Sequence, residues 1–396
     1  MRLSQLLRSS MLLLLANLAA GGVNYLYQIK AAAGLTAVDY GALSLWLAYV
    51  GLGLALGAAA QILSNFIPLP QSRLGAIGAL ATLFGTFASA YLFLGPLSKG
   101  APGWELAILT VMVGATFNFL QGQLQGQGFF TLLALTGLVQ SLIRIFLIRS
   151  GGDLGWFAIA TTLSLSGTVA VQGACLLGAR ASGKWSSHIA SPAGRNLGAE
   201  VIGACILAVS IALIPQMDLL NLKWAQDAEA LGRFARASLF AKAVFFGALT
   251  LLQITLPFHI RRLRGSLTPE AHHQVKRLEI LGLGACFVGS LSLYWIAPWF
   301  TARFLGFDLS EQRSWVVLSC LAMTVLYGNL QKIQLRCAEG QWKMAAIRLG
   351  ALALGMALAA ILRPGTVTLY LGGALIYYLA IGFAGHRNKT TPAVPA

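Results

Sequence analysis

The polar residues that fall inside long apolar stretches are the ones whose chemistry matters, because a polar group costs energy in hydrocarbon unless it faces a partner or a cavity. Asn17, Asn24 and Gln28 recur at i, i+7 and i+11, which places them on one helical face. Asn118, Gln121 and Gln125 recur at i, i+3 and i+7, and Asn329, Lys332 and Arg336 repeat that spacing. Five cations lie within apolar runs: Arg144, Arg236, Lys242, Lys332 and Arg348. A cation at mid-bilayer costs at least about 2.5–3.5 kcal/mol. Arg144, Arg236, Lys332 and Arg348 sit close enough to the ends of their runs to snorkel to the headgroups. Lys242 lies about ten residues into its run and has no such escape. A cavity carrying these charges suits an anionic, phosphate-bearing ligand, since guanidinium forks match phosphate oxygens. The bland alternative for the neutral stripes is hydrogen bonding between helices, worth about 1 kcal/mol or less per contact.

Asp218 is the acid placed well inside an apolar run, just after Pro215-Gln-Met217. A kinked helix with a buried carboxylate is a possible proton or cation site. The competing reading, which the sequence favours, is a structural pair with Lys223 near the outer interface. No paired carboxylates, Gly-rich phosphate loop, nucleophile elbow or metal-spaced His/Cys group is present, so neither catalysis nor a metal or other cofactor is expected. His272-His273 reads as a solvated loop pair beside Glu270. Cys175, Cys205, Cys286, Cys320 and Cys337 lie singly, mostly in apolar runs, and read as packing residues.

The elements that must position these groups follow from composition. Of 396 residues, 57% are hydrophobic and 10% charged, against roughly 25% charged in a soluble domain. A spanning helix takes about 20 apolar residues, so the chain accommodates about twelve spans and no large soluble domain. The runs place them near 10–30, 40–64, 75–97, 104–124, 129–148, 155–178, 198–222, 232–257, 279–300, 314–335, 344–362 and 367–384. Arg2 and Arg8 ahead of Met11 resemble a signal peptide, but the run continues to Ile29 and is long enough to span.

The net charge of +16 does not point to nucleic acid, because the basic residues fall mainly between apolar runs. With both termini cytoplasmic, fifteen Lys/Arg lie on inner loops and eight on outer ones, while seven of the twelve acids lie outside. That asymmetry is the expected cytoplasmic bias.

The chain also repeats itself. Gln28-Ile-Lys-Ala-Ala-Ala-Gly-Leu-Thr-Ala-Val-Asp-Tyr-Gly41 follows the first span and Leu222-Lys-Trp-Ala-Gln-Asp-Ala-Glu-Ala-Leu-Gly232 follows the seventh. The offset from Gly41 to Gly232 is 232 − 41 = 191. Gln127-Gly-Phe-Phe130 and Glu339-Gly-Gln-Trp342 form a second echo, offset by 342 − 130 = 212. The fold expected is therefore all-α, with two six-helix lobes related by a pseudo-two-fold axis along the membrane normal. The lobes are 1–178 and 198–386, joined by a cytoplasmic connector at 179–197 and followed by a cytoplasmic tail at 387–396. Parallel repeats of this kind place a binding site between the halves.

Several of these segments carry a family likeness. Asn24-Tyr-Leu-Tyr-Gln28 followed by Ala32-Ala-Gly-Leu-Thr-Ala-Val-Asp-Tyr-Gly41 resembles the opening of the polysaccharide-export flippases (Wzx-type). Met217-Asp-Leu-Leu220 with Ala228-Glu-Ala-Leu-Gly232, Phe304-Leu-Gly-Phe-Asp308 and Gln334-Leu-Arg-Cys-Ala-Glu-Gly340 resemble later elements of that family. The resemblance implies membership of the multidrug/oligosaccharidyl-lipid/polysaccharide exporter superfamily. It further implies translocation of polyprenyl-pyrophosphate-linked oligosaccharide across a bacterial inner membrane by alternating access. Membrane lipids, and a polysaccharide polymerase or other pathway proteins, would be its partners. On this reading Asn24, Gln28, Asn118, Gln121, Arg144, Arg236, Lys242, Asn329, Lys332 and Arg336 are cavity candidates, and Asp218 is the ion-coupling candidate. The alternative within the superfamily is a cation-coupled multidrug exporter. A membrane-embedded glycosyltransferase or ligase would need a long outer loop with catalytic residues, and the sequence offers none.

Overall fold

The computed structural model describes residues 3–53, 61, 104–126, 129–148, 153–182, 197–263, 269–361 and 367–384. The expected span at 75–97, most of the connector at 179–197 and the tail at 387–396 lie outside the described residues.

Among the described residues, helices form where the apolar runs are long enough to cross a bilayer, since an unpaired peptide group has no partner in hydrocarbon. In chain order they are α1 (Leu3–Gly34), α2 (Ala37–Gly53), α3 (Trp104–Gly126), α4 (Phe130–Leu147), α5 (Leu154–Ala181), α6 (Leu197–Leu213), α7 (Met217–Ala225), α8 (Ala228–Leu263), α9 (Pro269–Phe300), α10 (Arg313–Ala338), α11 (Trp342–Ile361) and α12 (Val367–Ala384). α6 and α7 are one span interrupted by a 3₁₀ turn, Ile214–Gln216. Pro215 explains the break, because it removes a backbone donor and crowds the preceding turn. α9 starts ten residues earlier than the apolar run suggested, so His272 and His273 sit on its first turns rather than in a loop.

Four described stretches are long and apolar enough to cross a membrane by length and composition alone: Glu105–Leu124, Leu154–Gly178, His273–Leu305 and Arg313–Cys337. Their burial separates their places. Only 11% of the apolar window in His273–Leu305 is buried, against 61% in Arg313–Cys337. The first turns an apolar surface outward, through Ile280, Phe287, Val288, Trp295 and Trp299. The second is central to its lobe and packs on α8, α9 and α12.

The repeat is visible in the caps. Asp39 N–H donates to Thr36 Oγ1 (3.2 Å) ahead of α2, and Ala230 N–H donates to Asp227 Oδ1 (2.7 Å) ahead of α8. Thr36 plus the offset of 191 is Asp227, so equivalent residues satisfy equivalent orphan donors, a role worth about 1 kcal/mol each. The second echo also holds, because Phe130 opens α4 and Trp342 opens α11.

The two halves meet where the repeat says they should. A Cβ placed on Gly41 would lie 3.1 Å from Gly232 Cα, and one on Gly232 would collide with the Ala37 carbonyl oxygen. A residue touching its own repeat partner is the contact a two-fold axis produces. Glycine is needed there because helices inside a bilayer associate through close backbone approach rather than hydrophobic force. Around this crossing one apolar core runs across both halves, joining Tyr27, Tyr40, Leu43 and Tyr49 to Leu219, Leu222, Phe234 and Tyr370. A second core, built on Phe245, Leu326, Tyr327 and Leu330, belongs to the C-terminal half.

Candidate functional site

The described cavity candidates fall into four places. In the N-terminal lobe, Arg144 of α4 reaches α1 and α5. Its Nε and NH2 donate to Thr161 Oγ1 (3.2 and 2.8 Å) and its NH1 to Asn24 Oδ1 (3.3 Å). The guanidinium carbon stands 3.8 Å from the Tyr27 ring centroid, a cation–π stack. Tyr27 is itself fixed, since its hydroxyl donates to the Phe157 carbonyl (2.9 Å) and lies 3.1 Å from Thr161 Oγ1. Every partner of Arg144 among the described residues is neutral. Gln28, on the same face of α1, accepts a 3.4 Å bond from the Tyr40 hydroxyl. In α3, Gln121 accepts a 3.5 Å bond from Gln61, and Asn118 is half-buried.

The second place surrounds the Pro215 break. Asp218, 4% exposed, follows the 3₁₀ turn. Its Oδ1 accepts the Leu219 amide (2.7 Å), while Oδ2 is buried with no hydrogen-bond partner. The cation acting on it is Lys242 of α8, not Lys223. Lys223 instead crosses to the other half, donating to the Tyr49 hydroxyl (2.9 Å). The expected Asp218–Lys223 pair is thereby corrected. Residue 223 lies more than a turn along α7, and its long side chain reaches the lobe seam, whereas Lys242 comes from a neighbouring helix. Lys242 Nζ donates to Gln216 Oε1 (3.1 Å). Tyr370 and Tyr378 of α12 also lie within electrostatic reach of Asp218, and Asn221 donates to the Tyr370 hydroxyl (3.1 Å).

Arg236 occupies the third place, the seam itself. Its NH2 donates to the Leu35 carbonyl (2.7 Å) across the lobes, and its guanidinium carbon lies 4.7 Å from the Phe307 ring centroid. Its Nε is buried without a hydrogen-bond partner.

The fourth place lies within the C-terminal lobe, where α10 and α11 face the last turns of α12. Lys332 Nζ donates to the Gly382 carbonyl (2.8 Å) and Arg348 NH2 to the Ile381 carbonyl (3.4 Å). Cations on the carbonyls of a helix C-terminus are a favourable dipole arrangement. Arg336 donates to Gln341 and stands 3.7 Å from Glu339, close to the αL residue Gly340. Asn329 donates to the Tyr378 carbonyl (3.0 Å), so this member of the stripe ties helices together.

The structure therefore brings Arg144 to Asn24 and Lys242 to Gln216, within electrostatic reach of Asp218, and leaves Arg236 and the Lys332 group apart from both. Sequence reasoning did not name Tyr27, Thr161 or Gln216, whose neutral side chains give no sign of a charged partner. It also passed over His259 and Glu279, which form a 2.7 Å pair between α8 and α9. Glu279 at the head of an apolar run was the signal for that pair.

Neither a family model nor a curated protein matches the sequence. Solved structures do match along almost the whole chain. The Vibrio cholerae MATE transporter VcmN in its bent form is 17% identical, covers 97% of this chain and 96% of its own, and superposes with a TM-score of 0.61. An outward-facing multidrug resistance MATE family transporter of the MOP superfamily is 15% identical, with 97% and 96% covered and a TM-score of 0.62. A MATE in complex with MaL6 is 14% identical, with 98% of each chain covered and a TM-score of 0.62. The likeness shows the fold: a multi-pass, all-α membrane protein with the two-lobe arrangement of the MATE transporters.

Proposed function

We propose that this chain is a secondary transporter. It moves an organic solute through the space between its two lobes by alternating access, with Asp218 as the carboxylate that couples transport to an ion gradient. The observation that carries this reading is a buried carboxylate oxygen without a hydrogen-bond partner, placed beside a helix break. A buried charge is costly unless it is paired, so such groups inside membranes mark ion pathways. The full-length likeness to multidrug exporters favours a small organic molecule as cargo.

One observation favours a second cargo. Arg144 is held by neutral groups alone and retains N–H donors for an anion. That charge opposes a cationic drug and suits a phosphate-bearing one, such as polyprenyl-pyrophosphate-linked oligosaccharide handled with a polymerase and other pathway proteins in a bacterial inner membrane.

The test is transport by the purified protein in liposomes under an imposed proton or sodium gradient. A fluorescent cationic dye serves as one cargo and a fluorescent polyprenyl-pyrophosphate sugar as the other. Gradient-dependent movement of the dye, lost in Asp218→Asn, supports the exporter. Movement of the lipid-linked sugar alone, weakened by Arg144→Gln, supports the second cargo. A rate for both cargoes equal to that of protein-free liposomes would overturn the transporter reading.

A further inference from the structure

Lys242 stands where a mobile cation would otherwise be wanted. Asp218 is almost completely buried, and its Oδ2 has no hydrogen-bond partner. The charged group acting on it is Lys242, from the facing helix α8. Tyr370 and Tyr378 of α12 are the other titratable groups within electrostatic reach, and both are neutral hydroxyls at ordinary pH. One N–H of the Lys242 ammonium is spent on Gln216 Oε1 at 3.1 Å, so that side chain rests on a neutral acceptor two residues before the carboxylate. Gln216 in turn packs across the lobe seam, its Nε2 lying 3.7 Å from where a Cβ on Gly51 would be.

We infer that Lys242 is a tethered counter-cation for Asp218, exchanging between Gln216 and the carboxylate, so that this site takes up a proton and excludes sodium. The inference rests on the reading of Asp218 as the coupling carboxylate. When Asp218 is ionised, the ammonium moves to Oδ2 and the pair carries no net charge. When a proton from solvent adds to Oδ2, the attraction is lost and the ammonium, still protonated, returns to Gln216. The pair then carries a single positive charge. The arrangement seen here, with Lys242 on Gln216 and Oδ2 unpartnered, has the geometry of the second state. Because Gln216 lies beside Gly51 of the other lobe, its loss and recovery of the ammonium is felt where the lobes meet. A lysine ammonium is a compact point charge of the same sign as sodium, and its four-carbon stem keeps it in place whatever the salt concentration.

The experiment is binding of radioactive sodium to the purified full-length protein at alkaline pH. The native chain is expected to bind none above background, and Lys242→Arg likewise. Lys242→Gln is expected to gain saturable sodium binding that disappears again in Asp218→Asn/Lys242→Gln. Asp218-dependent sodium binding by the native chain would overturn the inference, as would a folded Lys242→Gln that binds none. If Lys242→Gln does not fold, the double variant decides. Recovery of monodisperse protein by neutralising both partners supports the pairing, and no recovery overturns it. Failure of the underlying reading looks different: Asp218→Asn would then retain gradient-driven uptake in liposomes, whatever the sodium pattern.

Discussion

The two lobes place different chemistry at matching points of the repeat. Tyr27 plus the offset of 191 is Asp218, so the ring that carries Arg144 in the first half corresponds to the carboxylate that faces Lys242 in the second. The N-terminal cation is solvated by a ring, a threonine and an asparagine, which spread its charge without cancelling it. The C-terminal cation has an acid within its field and a glutamine as its resting place. A cation kept on neutral partners stays available to an anion that arrives and leaves. A cation kept beside an acid forms a unit whose charge changes with one proton. On the function proposed above, one backbone repeat would support a cargo-facing lobe and an ion-facing lobe.

The sharpest way to break that contrast is to remove each cation. Lys242→Met strands the Asp218 charge in a buried site, a loss of about 3–5 kcal/mol of stability, relieved by adding Asp218→Asn. Arg144→Met strands only neutral groups and is expected to cost about 1–3 kcal/mol, with no relief from any acid. Thermal unfolding of the native chain and the three variants in detergent measures both; equal losses in the two lobes would erase the distinction.

The seam comes next. Gly232→Ala places a methyl group against the Ala37 carbonyl and must push the lobes apart, so cross-linking between cysteines introduced on α2 and α8 should fall severalfold. The same change at Gly355, which presses on the Tyr377 ring within the C-terminal lobe and not on the α2–α8 crossing, should leave that cross-linking intact.

Smaller still is Arg144→Lys. The charge remains, but the planar fork that grips Thr161 and Asn24 is lost. An apparent cargo affinity weaker by about tenfold, roughly 1.4 kcal/mol, with unchanged ion dependence, would sharpen the division of labour. A change in ion dependence instead would blur it. Tyr49→Phe removes only the hydrogen bond from Lys223 and should cost about 1 kcal/mol, with transport close to native.

Much of the fold was legible because a bilayer enforces simple rules. The apolar runs located the described helices, while α1, α8 and α9 extend beyond their apolar stretches by up to ten residues, α9 through first turns rich in charge. The offset of 191 pairs Gly41 with Gly232, and the structure adds that the two glycines meet. The site was legible in part. Charged residues announced themselves by their cost, so Arg144, Lys242 and Asp218 were all singled out. Their partners were not, since Thr161 and Tyr27 are ordinary residues in an apolar helix and become meaningful only when α1, α4 and α5 are brought together. Asp218 was assigned to Lys223 because sequence shows neighbours along one helix and hides those on another. The spacing of Asn329, Lys332 and Arg336 shows one face and leaves cavity lining and helix–helix hydrogen bonding equally open. In the structure Asn329 ties helices together, Lys332 caps α12, and Arg336 closes onto its own C-terminal turn.

The most direct measurement is the distance between the α2 and α8 starts, reported by spin labels at Val38→Cys and Glu229→Cys in a chain otherwise free of cysteine. It would be recorded at acidic and alkaline pH with Asp218 present and with Asp218→Asn. Both positions are exposed and close to the Gly41–Gly232 crossing. The expected result is a short distance that gains a longer population as pH changes, and a single pH-independent distance in Asp218→Asn. A distance that never changes, or that changes identically without the carboxylate, would contradict a proton-driven separation of the lobes.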